Sequence, residues 1–240
     1  MKRLTGLIAF CMTVLLFSCS SGPAKDDTKT ADTTAAVTTD TIAVAKPAFI
    51  PFKVVMIQHK VKDFGKWQEA YLAHDSVRKA YGITHWMIGR DLRDSNLVYI
   101  LDKMEDLAKA QTFSTLPNLK DTMKKAGVTS VPGFSYAEII RDNDSAVESS
   151  DRISVAHHVK DFATWLKAFD AEGSAARAAT GMVDRLLGRS LVDSNMVFIV
   201  FAVTDKAKAK ARLASPELKK VMTDAGVDSP PTIRWYRLIK

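Results

Sequence analysis

Between Val54 and Lys240 the apolar and polar positions follow one programme, and the chain runs through it twice. Val55, Ile57, His59 and Val61 fall at every second position, as do Ile153, Val155, His157 and Val159. That period predicts a strand over about Val54–Val61 and again over Ile153–Val159. An aspartate follows each strand, Asp63 and Asp161, placed to cap a helix. Phe64, Trp67 and Tyr71, and likewise Phe162, Trp165 and Phe169, then stand at i, i+3 and i+7, one face of that helix. One continuous helix is expected in each half. It should stop near Gly82 or Gly181, where a left-handed cap is wanted.

A second strand, a turn containing DSN, and a third strand (LVYIL or MVFIVFAV) come next. Asn96 and Asn195 read as turn residues that open the third strand. The helical stretch SPELKKVMTDAG has Ser215 as N-cap, Pro216 at the first helical position and Gly226 past its end. Leu116 stands where Ser215 would, so the earlier helix is capped more weakly. GFSYAEII and TIRWYRLI supply the last strands. The order β-α-β-β-α-β is the ferredoxin-like arrangement.

The two runs match residue by residue. VKDFGKW from Val61 returns as VKDFATW from Val159, and GRDLRDSNLV from Gly89 returns as GRSLVDSNMV from Gly188. Pro117, Leu119, Lys120 and Met123 return as Pro216, Leu218, Lys219 and Met222, with one inserted residue in between. The sequence therefore predicts two copies of one module, residues 51–141 and 152–240, joined by a polar linker over 142–151. VFIVFAV is apolar without alternation, so both faces of that strand should be covered. Helices cover one face; the sheet of the other module must cover the second. The expected fold class is α+β, with two tandem ferredoxin-like modules packed sheet to sheet as an intrachain pseudo-dimeric α/β barrel.

The first residues belong to neither module. Lys2 and Arg3 precede a short apolar run, Leu7 through Phe17, too short to span a bilayer. It ends in LFSC, which resembles the lipobox of bacterial lipoproteins. The resemblance implies a signal peptide over 1–18 and Cys19 as a lipid-bearing first mature residue. Residues 19–50, rich in Thr, Ala and Asp, read as a flexible tether. The implied location is the cell envelope, on the periplasmic face or the outer membrane. Cys11 lies in the discarded segment, which leaves no disulfide and no Cys-based metal site. The net charge of +7, or +5 without Lys2 and Arg3, fits anionic headgroups better than nucleic acid.

From about Phe52 to Lys240 the pattern His-x-Val-x-Asp-Phe-x-x-Trp, then Gly-Arg, Asp-x-Asn-x-Val, Pro-x-Leu and Ala-Gly-Val, resembles the dimeric α/β barrel superfamily. The likeness is to bacterial proteins near the antibiotic-biosynthesis monooxygenases. Members of that group include cofactor-free monooxygenases, haem-degrading enzymes and polyketide cyclases, so the resemblance implies the fold and leaves the activity open.

Candidate ligand contacts are His59 and His157, Arg90 and Arg189, and His85 with Trp86. The paired histidines suit acid–base work or ligand contact in a cavity, although a strand histidine satisfied by a helix or turn is the stronger reading. The arginines suit a carboxylate or enolate clamp, against an ion pair with Asp94 or Asp193 across the hairpin. His85, Trp86 and His74 make the first module the richer one. His157 and His158 face opposite sides of a strand and cannot share one ion; no metal and no cofactor is expected. The resulting reading is a lipid-anchored envelope protein whose barrel binds a small apolar or aromatic molecule, sufficient as a monomer. The alternatives are a cofactor-free monooxygenase or cyclase, and an interaction module with a filled barrel.

Overall fold

In the computed structural model, which describes residues 49–239, the period-2 segments become eight strands and the 3.6-period segments eight helices. The order is β1 (Phe52–Lys60), α1 (Phe64–Ala73), α2 (Asp75–Ala80), β2 (Ile83–Asp91), β3 (Leu97–Met104), α3 (Leu107–Ser114), α4 (Pro117–Lys125) and β4 (Gly133–Asp142). The second half repeats it: β5 (Asp151–His158), α5 (Phe162–Glu172), α6 (Ser174–Ala179), β6 (Met182–Ser190), β7 (Met196–Val203), α7 (Lys206–Leu213), α8 (Pro216–Asp224) and β8 (Thr232–Ile239). The segments read from sequence as a signal peptide, a lipid-bearing Cys19 and all but the end of a tether lie outside the described residues.

Local chemistry sets the helix starts. The Asp63 carboxylate accepts from the Lys66 amide at 3.0 Å, and that of Asp161 from Thr164 at 2.8 Å. Ser215 caps α8, accepting from the Leu218 amide at 3.1 Å, whereas Leu116 gives α4 no side-chain cap. The single helix expected after each first strand is in fact two. The break falls at His74 in the first half and at Gly173 in the second, where φ is +80°. Gly173 lies in the stretch that carries the one-residue insertion.

All strand pairings are antiparallel, and the sheet closes on itself in the order β1-β3-β2-β8-β5-β7-β6-β4. A barrel was expected, and the structure adds how its sheet closes. The halves do not only face each other; they hydrogen-bond edge to edge at two seams, β2 with β8 and β4 with β6. Closure leaves no free strand edge. It also needs close approach at the seams. A Cβ on Gly89 would lie 2.3 Å from the Tyr236 ring, and one on Gly188 would lie 2.7 Å from the Glu138 carbonyl oxygen.

Every strand therefore has an outer face under helices and an inner face on the barrel lumen. Two outer cores result. One gathers Val55, Ile57, Val98 and Ile100 with Trp67 and Phe113; the other gathers Ile153, Val155, Val197 and Ile199 with Trp165 and Ala209. A third cluster, Val54, Ala137, Ile139 and Leu186, lies inside the lumen.

Candidate functional site

Four pockets among the described residues compete for a functional reading, and their sizes separate them. One lies under the helices of the first half and holds ≈ 50 Å³, lined by His59, Trp67, Tyr71 and Arg78 among others. Its counterpart in the second half holds ≈ 80 Å³, with His157, Trp165, Phe169 and Arg177. The third is the lumen itself, with ≈ 440 Å³ between β1, β3 and β4 on one side and β5, β7 and β8 on the other. Ligand pockets fall at roughly 300–1,000 Å³, so the two spaces beside the histidines are too small as they stand. The lumen is the larger of the two that have room, the other being a fourth pocket of ≈ 310 Å³ between α2 and α4, lined by His74, Tyr81 and Leu116 among others.

The burial pattern of β7 shows what the lumen is. Val197, Ile199 and Phe201 on its outer face are buried, while Met196, Phe198 and Val200 on its inner face are only half-buried. Met56 and Leu101 are half-buried as well, though they too point into the barrel. Both faces of the apolar strand are enclosed, as its composition requires, but the inner one borders open space. Val54, Ala137, Ile139 and Leu186 fill only part of the barrel.

The cavity has polarity at its ends. Gln58, Gly133 and Thr232 are exposed, and they mark the side open to solvent. Tyr99 and Tyr236, 8% and 5% exposed, form an inner wall with ring centroids 5.4 Å apart. The Tyr99 hydroxyl donates to Asp91 at 2.8 Å, and burial pushes both phenols above their ordinary pKa. Arg234 lines the same cavity and has no hydrogen-bond or ion-pair partner among the described residues.

The residues singled out from sequence go elsewhere. His59 and His157 point outward into the small spaces under the helices, edge-on to Trp67 and Trp165 at 5.4 and 5.6 Å. Each is 3% exposed, and neither ring nitrogen has a partner. The expectation of a satisfied strand histidine is thus overturned, because the neighbouring helix presents an indole face where a hydrogen-bonding group was expected. Desolvation lowers both imidazoles to about 4, so both are neutral at pH 7.

Arg90 and Arg189 also leave the lumen, since Gly89 and Gly188 occupy the inward positions beside them. The Arg90 guanidinium lies 4.2 Å from the centre of the Phe64 ring, and its Nε donates to the Ser95 carbonyl at 2.8 Å. Arg189 lies 5.2 Å from the Phe162 ring and 3.9 Å from Glu138. The expected pairs with Asp94 and Asp193 do not form; Asp94 pairs with Lys60 at 2.8 Å, and Asp193 stands 3.6 Å from His158.

His85 and Trp86 are split by a bulge in β2. Trp86 turns into the filled part of the barrel, edge-on to Phe52 at 5.1 Å. His85 turns outward to a buried cluster. There Asp102, fully buried, accepts from the Tyr71 hydroxyl at 2.7 Å, and His85 Nδ1 stands 3.2 Å from the same carboxylate. Arg78 covers the Tyr71 ring at 3.8 Å. The second half solves the same problem differently. Arg177 covers Phe169 at 3.7 Å, and its charge is met by Asp184 through contacts of 2.8 and 2.6 Å. The counter-charge sits not on β7, the counterpart of β3, but on β6, at the position that His85 holds on β2 in the first half.

Arg234, Tyr99, Tyr236 and Gln58 escaped the sequence reading. The signal was available: along the inner faces, positions that correspond between the halves differ in kind, as Ser135 differs from Arg234 and Ala137 from Tyr236. A search for shared residues passes over such pairs.

No family model matches the chain, and no curated protein matches it. Solved structures do. A provisionally assigned monooxygenase from Fusobacterium nucleatum shares 13% identity, with 80% of this chain and 93% of that one aligned and a TM-score of 0.51. An anthrone oxidase-like protein shares 14% identity over 79% and 92% of the two chains, with a TM-score of 0.52. A ferredoxin-fold protein from Listeria monocytogenes, related to antibiotic-biosynthesis monooxygenases, aligns over 80% and 97% at 14% identity and a TM-score of 0.44. At these identities the likeness to the first two is one of fold alone: a mixed α+β chain built on an antiparallel sheet.

Proposed function

We propose that this chain is a lipid-anchored cell-envelope protein whose barrel lumen binds a small apolar or aromatic molecule. In this reading residues 1–18 are a lipoprotein signal, Cys19 carries the lipid, and residues up to about 50 tether the barrel. The barrel is a duplicated module, 51–141 and 152–240, that forms an intrachain pseudo-dimer. The observation that carries the reading is the ≈ 440 Å³ lumen with half-buried Met56, Leu101, Phe198 and Val200 on its walls. Apolar side chains left partly uncovered inside a closed barrel gain from any apolar guest that removes them from water. The filled-barrel alternative has less support for the same reason.

Thermal unfolding of the full chain with apolar and aromatic ligands tests this. A ligand at 100 times its dissociation constant adds about 2.7 kcal/mol, which raises Tm by several degrees. Val200→Trp, which fills the lumen, should remain folded and lose the shift. A shift that survives the filling, or no shift with any ligand class, contradicts lumen binding.

A second reading, a cofactor-free monooxygenase or cyclase, draws on a different observation. Each helix-covered space holds a neutral imidazole without a partner beside an indole. A dry, unprotonated base suits proton abstraction from an activated carbon or phenol. These spaces would have to widen to admit a substrate, so this reading stands second.

A further inference from the structure

Inside the barrel, the two halves differ at several corresponding positions. Outward-facing positions keep their character: Val55 and Ile153, Ile57 and Val155, His59 and His157, Val98 and Val197, Ile100 and Ile199. Some inward-facing positions do as well, among them Gly89 and Gly188, Tyr99 and Phe198, and Leu101 and Val200, but others do not. Met56 stands against Ser154, Gln58 against Ala156, Ser135 against Arg234 and Ala137 against Tyr236. A cavity that equivalent walls would have made two-fold is thus uneven in charge: of the residues that line it, Arg234 of the second half alone is charged.

That charge is uncompensated within the barrel. Asp91, the acid beside Tyr99, is already committed, with one oxygen accepting from the Tyr99 hydroxyl and the other from the amides of Arg93 and Asp94. Arg152, on the neighbouring strand, donates to the carbonyls of Ser149 and Asp151. Lys103 sits over Phe52 and Trp86 in the filled part. Arg234 is half-buried and has neither hydrogen bond nor ion pair to any described residue. A guanidinium taken partly out of water and left unpaired is costly to hold, and a bound anion relieves that cost.

Resting on the reading of the lumen as a ligand site, we infer that the ligand is an organic acid carrying one negative charge, whose carboxylate meets Arg234 and whose apolar or aromatic body lies along Met56, Leu101, Phe198 and Val200. One guanidinium matches one carboxylate in charge and in the geometry of its paired donors. A phosphate dianion would be left half-compensated, since no second uncommitted cation lines the cavity. The Ser154 and Thr232 hydroxyls and the Gln58 amide flank the entrance and supply further donors.

Calorimetric titration of the full chain with 2-naphthoate and 2-naphthamide, and with decanoate and decanamide, tests the charge directly, because each pair differs only in the head group. The acid should bind at least tenfold more tightly than its amide. Arg234→Gln should erase that preference, weakening the acid far more than the amide, while Arg237→Gln, on the exposed side of the same strand, should preserve it. Val200→Trp should abolish binding of both. If acid and amide bind wild type equally and Val200→Trp still abolishes both, the lumen is a ligand site and the acid assignment is overturned. If no probe binds, or if the filled variant binds as wild type does, the lumen reading itself fails and the assignment falls with it.

Discussion

His59 and His157 are buried without a partner, and that has a measurable consequence in acid. Each folded-state pKa is depressed from 6.5 to about 4 by desolvation. Above pH 6.5 both states are neutral and no penalty exists. As pH falls from 6.5 to 4 the unfolded chain takes up protons that the folded chain cannot, so stability is lost across that window. The loss reaches about 3 kcal/mol for each histidine. His158 runs the other way: its bond to Asp228 raises its pKa, so it adds stability at low pH that is lost as pH rises through the folded value. Urea unfolding at pH 7 and at pH 4 should show His157→Leu no less stable than wild type at pH 7, because it removes an unsatisfied buried group. At pH 4 the variant should be clearly more stable than wild type. Equal pH dependence in the two proteins would mean that the imidazole has a partner or reaches solvent.

At the scale of elements, each half locks its helical layer to the sheet through a buried arginine laid over an aromatic ring, with an acid beneath. The acid's position differs, Asp102 on β3 against Asp184 on β6, and so does its grip: Asp184 bonds Arg177 directly, whereas Asp102 stands 3.9 Å from Arg78. Asp184→Asn strips two charge-assisted bonds from Arg177 and should lower unfolding stability by about 3 kcal/mol. Asp224→Asn, which breaks an exposed pair with Lys220, should change it little. Comparable losses would mean that Arg177 finds another counter-charge. The elements themselves were largely legible in the sequence, because strand and helix periods are local properties and the caps at Asp63, Asp161 and Ser215 are written in single residues. The breaks at His74 and Gly173 were not. Neither position carries a proline, and the aromatic spacing before each break continues smoothly toward the stop at Gly82 or Gly181.

For the whole molecule, what repeats builds the barrel and what differs furnishes its interior. The outer faces could be read from the chain because burial under helices demands apolar residues in both halves. Closure at the β2–β8 and β4–β6 seams could not, since edge pairing depends on register between segments far apart in sequence. The lumen residues were passed over for a related reason: His59, His157, Arg90 and Arg189 drew notice by recurring, and the structure places them outside the lumen. Arg234, Tyr236 and Gln58 do not recur. The measurement that tests this division most directly is a ligand titration of the full chain followed by the methyl resonances of its methionines. Met56 and Met196 line the lumen, whereas Met123, Met182 and Met222 line the spaces under the helices. With 2-naphthoate or decanoate, Met56 and Met196 should shift in a saturable way while the other three stay fixed. Shifts at Met123, Met182 or Met222, with Met56 and Met196 unmoved, would place the ligand beside the histidines and contradict the account.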